Sequence, residues 1–306
     1  MSPLDRFRQP KSGSIRKFDF PDVERRTLSN GLDLRVCKLS RLPLVSTNLF
    51  FRAGESQLVE SRAGLAVLTG DALEGGTQKR SGTELAETLE GIGARLGVTT
   101  GWEGTSVSMS CLADRLEPAL TLLAEAVLEP AFPEDEVGRA REQQLAAIRQ
   151  RAMDPAALAS MEASRRYFVA GIPYARPQDG SEESIAPVKR ELLSDYAESC
   201  YRPEGGGLIV AGDLDPDEIE DKIISRFADW QIPATPRTEI GKGAVDLARG
   251  PAAANFVDPD VQHVVVIDRF APYQDRRPTI AETEQSRLLS LGTAILNRRL
   301  QKIANA

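Results

Sequence analysis

The chain has 306 residues, 41% of them hydrophobic and 27% charged, which predicts a globular protein of two α/β units, or one and part of a second. A formal net charge of −7 with no long Lys/Arg run argues against nucleic acid or an anionic membrane as partner and leaves peptides and proteins open. No apolar run reaches membrane-spanning length, and Met1–Arg6 lacks the apolar core of a signal peptide. The sequence as written therefore predicts a cytoplasmic protein, or a periplasmic one if a signal precedes this start. Three widely spaced cysteines, Cys37, Cys111 and Cys200, fit neither a disulfide framework nor a CxxC metal site and are expected to be core thiols.

Residues 1–22 are polar and proline-containing, an extended lead-in. Asn30-Gly31 between two apolar alternations over 26–37 predicts a hairpin. A strand follows at Leu44–Arg52, with Val45, Thr47, Leu49 and Phe51 on one face. From Ala63 the period becomes helical through Leu65, Leu68, Ala72 and Leu73, with a stop at Gly75-Gly76. Val67, Gly70 and Asp71 form a separate stripe on that helix. Ser81 and Glu84 make a capping box that opens a helix carrying Leu85, Leu89 and Ile92.

Two strands are predicted at Leu96–Trp102 and Thr105–Leu112, around the turn 101–104. A helix follows through Leu116, Leu120, Leu123 and Val127, then a long one from Pro133 and Glu134 to Met153, then another from Asp154-Pro155 to Ala170. Val188–Tyr201 reads as a helix, Gly207–Asp213 as a buried strand, and Asp215-Pro216 as the opening of a helix to Phe227. The Pro-, Gly- and Ala-rich stretch 231–254 reads as a linker. A strand at Val264–Phe270 and a helix over Glu282–Ala306, with Leu288, Leu291, Ile295 and Leu300 on one face, complete the chain.

Leu28-Ser29-Asn30-Gly31-Leu32, Arg52-Ala53-Gly54-Glu55, Gly64-Leu65-Ala66 and Gly76-Thr77 resemble, in this order, the start of a pitrilysin/insulinase-family module. The likeness continues through Leu89–Gly93, Phe132-Pro133, Tyr201-Arg202-Pro203 and Val210–Leu214, and covers about residues 23–230. The stretch Leu296–Leu300 resembles the opening helix of the family's second repeat. The resemblance implies an α+β fold, an antiparallel-rich sheet packed by helices, with one complete repeat over 23–230, the linker 231–254 and the start of a second repeat over 255–306.

Catalytic members of this family carry His-x-x-Glu-His on the first helix, where two His bind zinc and the Glu is the general base. Positions one helical turn apart point the same way, so both imidazoles reach one ion and the Glu reaches its water. A third ligand, a Glu, stands on the long helix after Phe-Pro. Carried over position by position, the first His becomes Val67, the base Gly70, the second His Asp71 and the Glu ligand Ala147, with Ala140 in place of a supporting Glu. The single histidine of the chain, His263, lies far from this stripe. The resemblance therefore implies no catalytic residue and no metal here, with zinc only in a catalytic partner.

In catalytic members an edge strand after the second helix pairs with substrate backbone, and the matching stretch is Val98-Thr99-Thr100-Gly101-Trp102. The plain reading of Trp102 is a turn aromatic packed on its own hairpin. The Arg and Tyr that the family supplies in trans fall beyond Ala306, so the chain is expected to be part of a longer protein. Three readings stay open. The leading one is a non-catalytic subunit that binds extended peptide and pairs with a catalytic pitrilysin/insulinase-like subunit. The others are part of an active zinc metalloendopeptidase whose ligands lie elsewhere in the gene, and a structural subunit of a larger assembly.

Other constellations carry less. His263 opens a predicted strand and reads as a strand-edge or core histidine. Gly91, Gly93 and Gly97 do not have GxGxxG spacing. Asp213–Glu218 resembles the start of a calcium loop but has Glu218 and Ile224 where Gly and Glu are required, so helix capping by Asp215 is expected. No Gly-x-Ser-x-Gly elbow is present.

Overall fold

A computed structural model describes residues 19–169, 171–234 and 279–304, together with positions 13, 14, 245, 250, 253 and 257. Strands β1 (Glu24–Thr27) and β2 (Asp33–Lys38) pair antiparallel, Thr27 opposite Asp33. Asn30-Gly31 sits in the connection as expected, but the loop takes Leu28 to Leu32: Leu28 N–H donates to the Leu32 carbonyl and Gly31 N–H to the Leu28 carbonyl, both at 2.9 Å. Asn30 ties this loop to a distant part of the chain. Its Nδ2 donates to the distant Phe227 carbonyl at 2.6 Å while its Oδ1 accepts from Leu32 N–H at 3.2 Å.

Strand β3 (Leu44–Phe51) buries Val45, Thr47, Leu49 and Phe51, the face its alternation predicts. Helix α1 (Leu65–Asp71) follows and relaxes into a 3-10 turn over Ala72–Gly75. Short strands β4 (Gly76–Thr77) and β5 (Arg80–Ser81) lead into α2 (Gly82–Gly91), whose capping box is formed: Glu84 N–H donates to Ser81 Oγ and Ser81 N–H to the Glu84 carboxylate. Strands β6 (Arg95–Thr100) and β7 (Thr105–Leu112) make the second hairpin, with Val107, Met109 and Cys111 buried.

Helices α3 (Leu116–Leu128), α4 (Glu134–Ala152) and α5 (Pro155–Tyr167) come next. Pro133 is the N-cap of α4 rather than its first helical residue, and α5 stops short of the expected end at Ala170. A short helix α6 (Glu182–Ile185), capped by Ser181, has no apolar period long enough to be read from sequence. Helix α7 (Arg190–Cys200), strand β8 (Gly207–Gly212) and helix α8 (Pro216–Phe227) complete this unit. Asp215 caps α8, accepting from Asp217 and Glu218 N–H at 3.1 and 3.4 Å.

The six-stranded sheet runs β1-β2-β8-β3-β7-β6. It is mixed: β2 and β8 are parallel, and the other neighbours are antiparallel. The apolar run of β8 belongs to a central strand, flanked on both sides, yet Ile209 points to an open face and is 48% exposed. The opposite face carries the core, in which Leu65, Leu68 and Leu73 after β3, Leu120 and Leu123 of α3, and Ile219, Ile223 and Phe227 of α8 are buried with the inner residues of β3 and β7. Each such large side chain contributes about 1.5–3 kcal/mol on burial.

The chain divides into units Met1–Gln262 and His263–Ala306. In the second, helix α9 (Ile280–Ala304) starts at a capping box in which Thr279 N–H donates to Glu282 and Glu282 N–H to Thr279 Oγ1. His263 and the expected strand Val264–Phe270 lie outside the described residues, as does most of the expected linker 231–254. No helix among the described residues is long and apolar enough to cross a membrane.

Candidate functional site: the first helix and the sheet edge

Helix α1 begins over a buried carboxylate. Glu55, fully buried just after β3, accepts from Gly64 N–H at 2.9 Å, Ala66 N–H at 2.8 Å and Val67 N–H at 3.3 Å. These are otherwise unpaired donors at the positive end of the helix. Arg176 stands 3.8 Å from the Glu55 carboxylate and donates to the carbonyls of Glu55 and Leu58 at 3.2 and 2.8 Å. Burial pushes the Glu55 carboxyl up to about 7, against the opposing pull of the N–H donors and of Arg176.

The stripe Val67, Gly70, Asp71 lies one helical turn apart on α1, as its spacing requires. Val67 is half-buried and Gly70 is buried; Asp71 is exposed. Protein around Asp71 still desolvates its carboxyl enough to hold it above the ordinary aspartate range. Gly70 is packed against the sheet edge: a Cβ built on it would lie 2.2 Å from Thr100 Oγ1 and 3.5 Å from Val98 Cγ1. Thr100 is held there by its contact with Thr105 Oγ1 at 3.0 Å, and Thr105 donates to the Ala53 carbonyl at 2.8 Å.

On α4, Ala140 is buried and Ala147 exposed. Between them Gln144 donates to the Gly64 carbonyl at 3.0 Å and to the Asp179 carbonyl at 2.8 Å. A valine, a glycine, an alanine and one carboxylate are not a zinc donor set, and Thr100 fills the volume beside Gly70, so these residues do not fit the metal. Among the described residues no group of three or more His, Cys, Asp or Glu is placed to hold an ion.

Among the described residues strand β6 is the last of the sheet, and no strand pairs with its outer edge. Of the stretch expected to meet peptide, Val98, Thr99 and Thr100 belong to β6, whereas Gly101 and Trp102 lie in the turn. Their carbonyls are taken: Glu55 N–H donates to Gly101 at 3.2 Å, and Ser56 N–H and Oγ donate to Trp102 at 3.0 and 2.7 Å. The Trp102 ring packs on Tyr174, centroids 5.0 Å apart. The sequence marks Glu55 only as the end of the family-like segment Arg52–Glu55, and its pattern does not point to Arg176 or Gln178. The latter two sit in a loop without period, and their partners are far away in the chain.

Residues 41–168 match the family model described as Insulinase (Peptidase family M16). The non-peptidase homolog YmxG of Helicobacter pylori is 28% identical over 58% of this chain and 41% of its own length. The inactive domain of a peptidase M16 from Pseudomonas fluorescens superposes with a TM-score of 0.67 at 29% identity, over 73% of this chain and 54% of that one. Residues 41–168 carry a pitrilysin/insulinase-family module. An uncharacterized zinc protease of Mycobacterium leprae is also similar to this module, 28% identical over 72% of this chain and 50% of the relative. A Helicobacter pylori protease structure, 19% identical with a TM-score of 0.65, shares the fold over 74% of this chain and 55% of its own. The chain thus spans about half the length of the curated relatives it matches.

Proposed function

We propose that this module is a non-catalytic, peptide-binding half of a pitrilysin/insulinase-type pair, holding an extended peptide against the edge of β6 while a catalytic subunit carries the zinc and cleaves it. One observation carries this reading. At Gly70, the position of the catalytic base, the Thr100 hydroxyl occupies the space a side chain would need, so the helix face has been closed onto the sheet while the sheet edge beside it is kept. Strand addition to such an edge holds peptide through main-chain bonds and reads little sequence.

Purified protein should bind an extended peptide, show no chelator-sensitive cleavage alone, and support cleavage when a catalytic member is added. Stoichiometric zinc together with chelator-sensitive cleavage by this chain alone would sink the proposal. A second reading is favoured by the half-length match to a relative named as a zinc protease: the module is one part of a longer active metalloendopeptidase whose ligands lie elsewhere. Cleavage by the product of the whole gene, without any added subunit, would select it.

A further inference from the structure

Gly101 N–H donates to the Gly104 carbonyl at 2.8 Å across the β6–β7 turn, so the backbone of Gly101 faces β7. In an antiparallel ladder the N–H and C=O of one residue point the same way, and those of its neighbours point the opposite way. Gly97 and Thr99, opposite Ser108 and Ser106, therefore aim at β7 as well. Leu96, Val98 and Thr100 direct their backbone groups outward. The Thr100 carbonyl accepts from Gln178 Nε2 at 2.8 Å. That side-chain amide stands where the backbone N–H of an added strand would have to stand.

Gln178 is held from both sides. Before it, Arg176 donates to the carbonyls of Glu55 and Leu58 at 3.2 and 2.8 Å. The Tyr174 hydroxyl donates to the Glu103 carboxylate, and the Tyr174 ring packs on Trp102 with centroids 5.0 Å apart. After it, the Asp179 carboxylate pairs with Arg151, and the Asp179 carbonyl accepts from Gln144 Nε2 at 2.8 Å. The segment 174–179 is thus tied to the β6–β7 turn, to the loop after β3 and to α4. Its hold on Thr100 is part of the framework of the fold.

We propose that Gln178 is the end stop of the peptide-docking edge: its amide takes the Thr100 carbonyl in place of a peptide N–H, so an added strand pairs with Leu96 and Val98 and then ends or turns away. This inference rests on the docking reading above. It gives that edge a length as well as a direction. The stretch left for pairing, Arg95–Val98, spans about 13 Å at roughly 3.3 Å per residue. A peptide residue that reaches Thr100 needs no backbone N–H, so proline, which has none, is accepted at that point.

The test uses the full chain and a fluorescein-labelled peptide of alternating Thr and Val, longer than β6 and flanked by serines. Binding is followed by fluorescence anisotropy, and amide hydrogen exchange is read residue by residue in the free and bound protein. Peptide bound to wild type should slow exchange of the Leu96 and Val98 amides about tenfold or more and leave Thr100 unchanged. Gln178→Ala leaves room for one further peptide N–H. It should extend the protection to Thr100 and bind about three- to tenfold more tightly, the size of one ordinary hydrogen bond gained. Gln178→Asn, one methylene too short to keep the bond, should extend the protection likewise and stands in if the alanine variant does not fold. If peptide on wild type protects Thr100 as it does Val98, or if neither variant changes footprint or affinity, the end stop is overturned and the docking reading stands. If peptide binds neither wild type nor either variant, the docking reading falls and the end stop with it.

Discussion

The hydroxyl of Thr100 stands 2.2 Å from where a Cβ on Gly70 would be built. Helix α1 therefore packs on β6 so closely at Gly70 that the space a side chain would need is filled. Zinc ligands introduced on this helix face would meet that steric cost. The variant Val67→His/Gly70→Glu/Asp71→His/Ala147→Glu should be destabilised by about 1–3 kcal/mol of overpacking and bind zinc poorly. Adding Thr100→Ala, which leaves the nearest β6 atoms at 3.4–3.5 Å, should recover stability and raise zinc affinity. Zinc competition with a chromophoric chelator, alongside thermal unfolding, reads both. Equal affinity with and without Thr100→Ala would show that the steric argument is wrong.

Gly64 makes a second close approach. It has φ of 84° at the start of α1, and a Cβ there would meet the Asp179 carbonyl at 2.4 Å. Gly64→Ala combines left-handed backbone strain with a clash against backbone that Gln144 and Arg151 hold in place. A loss of about 2–4 kcal/mol is expected, measured as the shift of the urea midpoint at unchanged slope.

Local pattern shows which of these features a sequence can disclose. The alternation of β3, the capping box of α2 and the spacing of Ile219, Ile223 and Phe227 in α8 each have a period of two to four residues, and each is found where the pattern places it. The order of short family-like segments points to the fold, and the stripe Val67, Gly70, Asp71 marks one helix face. The contents of that face are not legible, because they depend on pairs far apart in sequence: Gly70 with Thr100, and Gln178 with Thr100. Asn30 is an intermediate case. Its turn can be read from the dipeptide, but its bond to the Phe227 carbonyl cannot.

Arg80 and Glu125 tie β5 to α3. The Glu125 side chain is 7% exposed and that of Arg80 is 30% exposed. Removing the arginine leaves a carboxylate in the interior without its counter-ion, which is costlier than removing both charges. Arg80→Ala should therefore lower stability by about 2–3 kcal/mol, and Arg80→Met/Glu125→Leu should regain most of it. Chemical denaturation of the two variants decides the matter; a double variant as unstable as Arg80→Ala would mean that packing, not the buried charge, sets the cost.

Glu55 gives the module a pH-dependent stability of defined sign. Its carboxyl titrates near 7 when folded, against a reference value of 4.5, so between these values the folded protein binds more protons than the unfolded chain. Stability from this group is fully present below about pH 4.5, declines as pH rises, and is lost above the folded value, by up to about 3 kcal/mol. The three N–H donors and Arg176 favour the ionised form, so the decline is gentler than for a carboxylate buried without partners. Glu55→Gln cannot ionise and should remove the slope: its stability relative to wild type should be lowest near pH 5 and improve toward pH 8. Urea unfolding of both proteins across this range checks it. A wild-type-minus-variant difference that stays flat with pH would place the Glu55 carboxyl at its ordinary value, fully offset by the helix and Arg176.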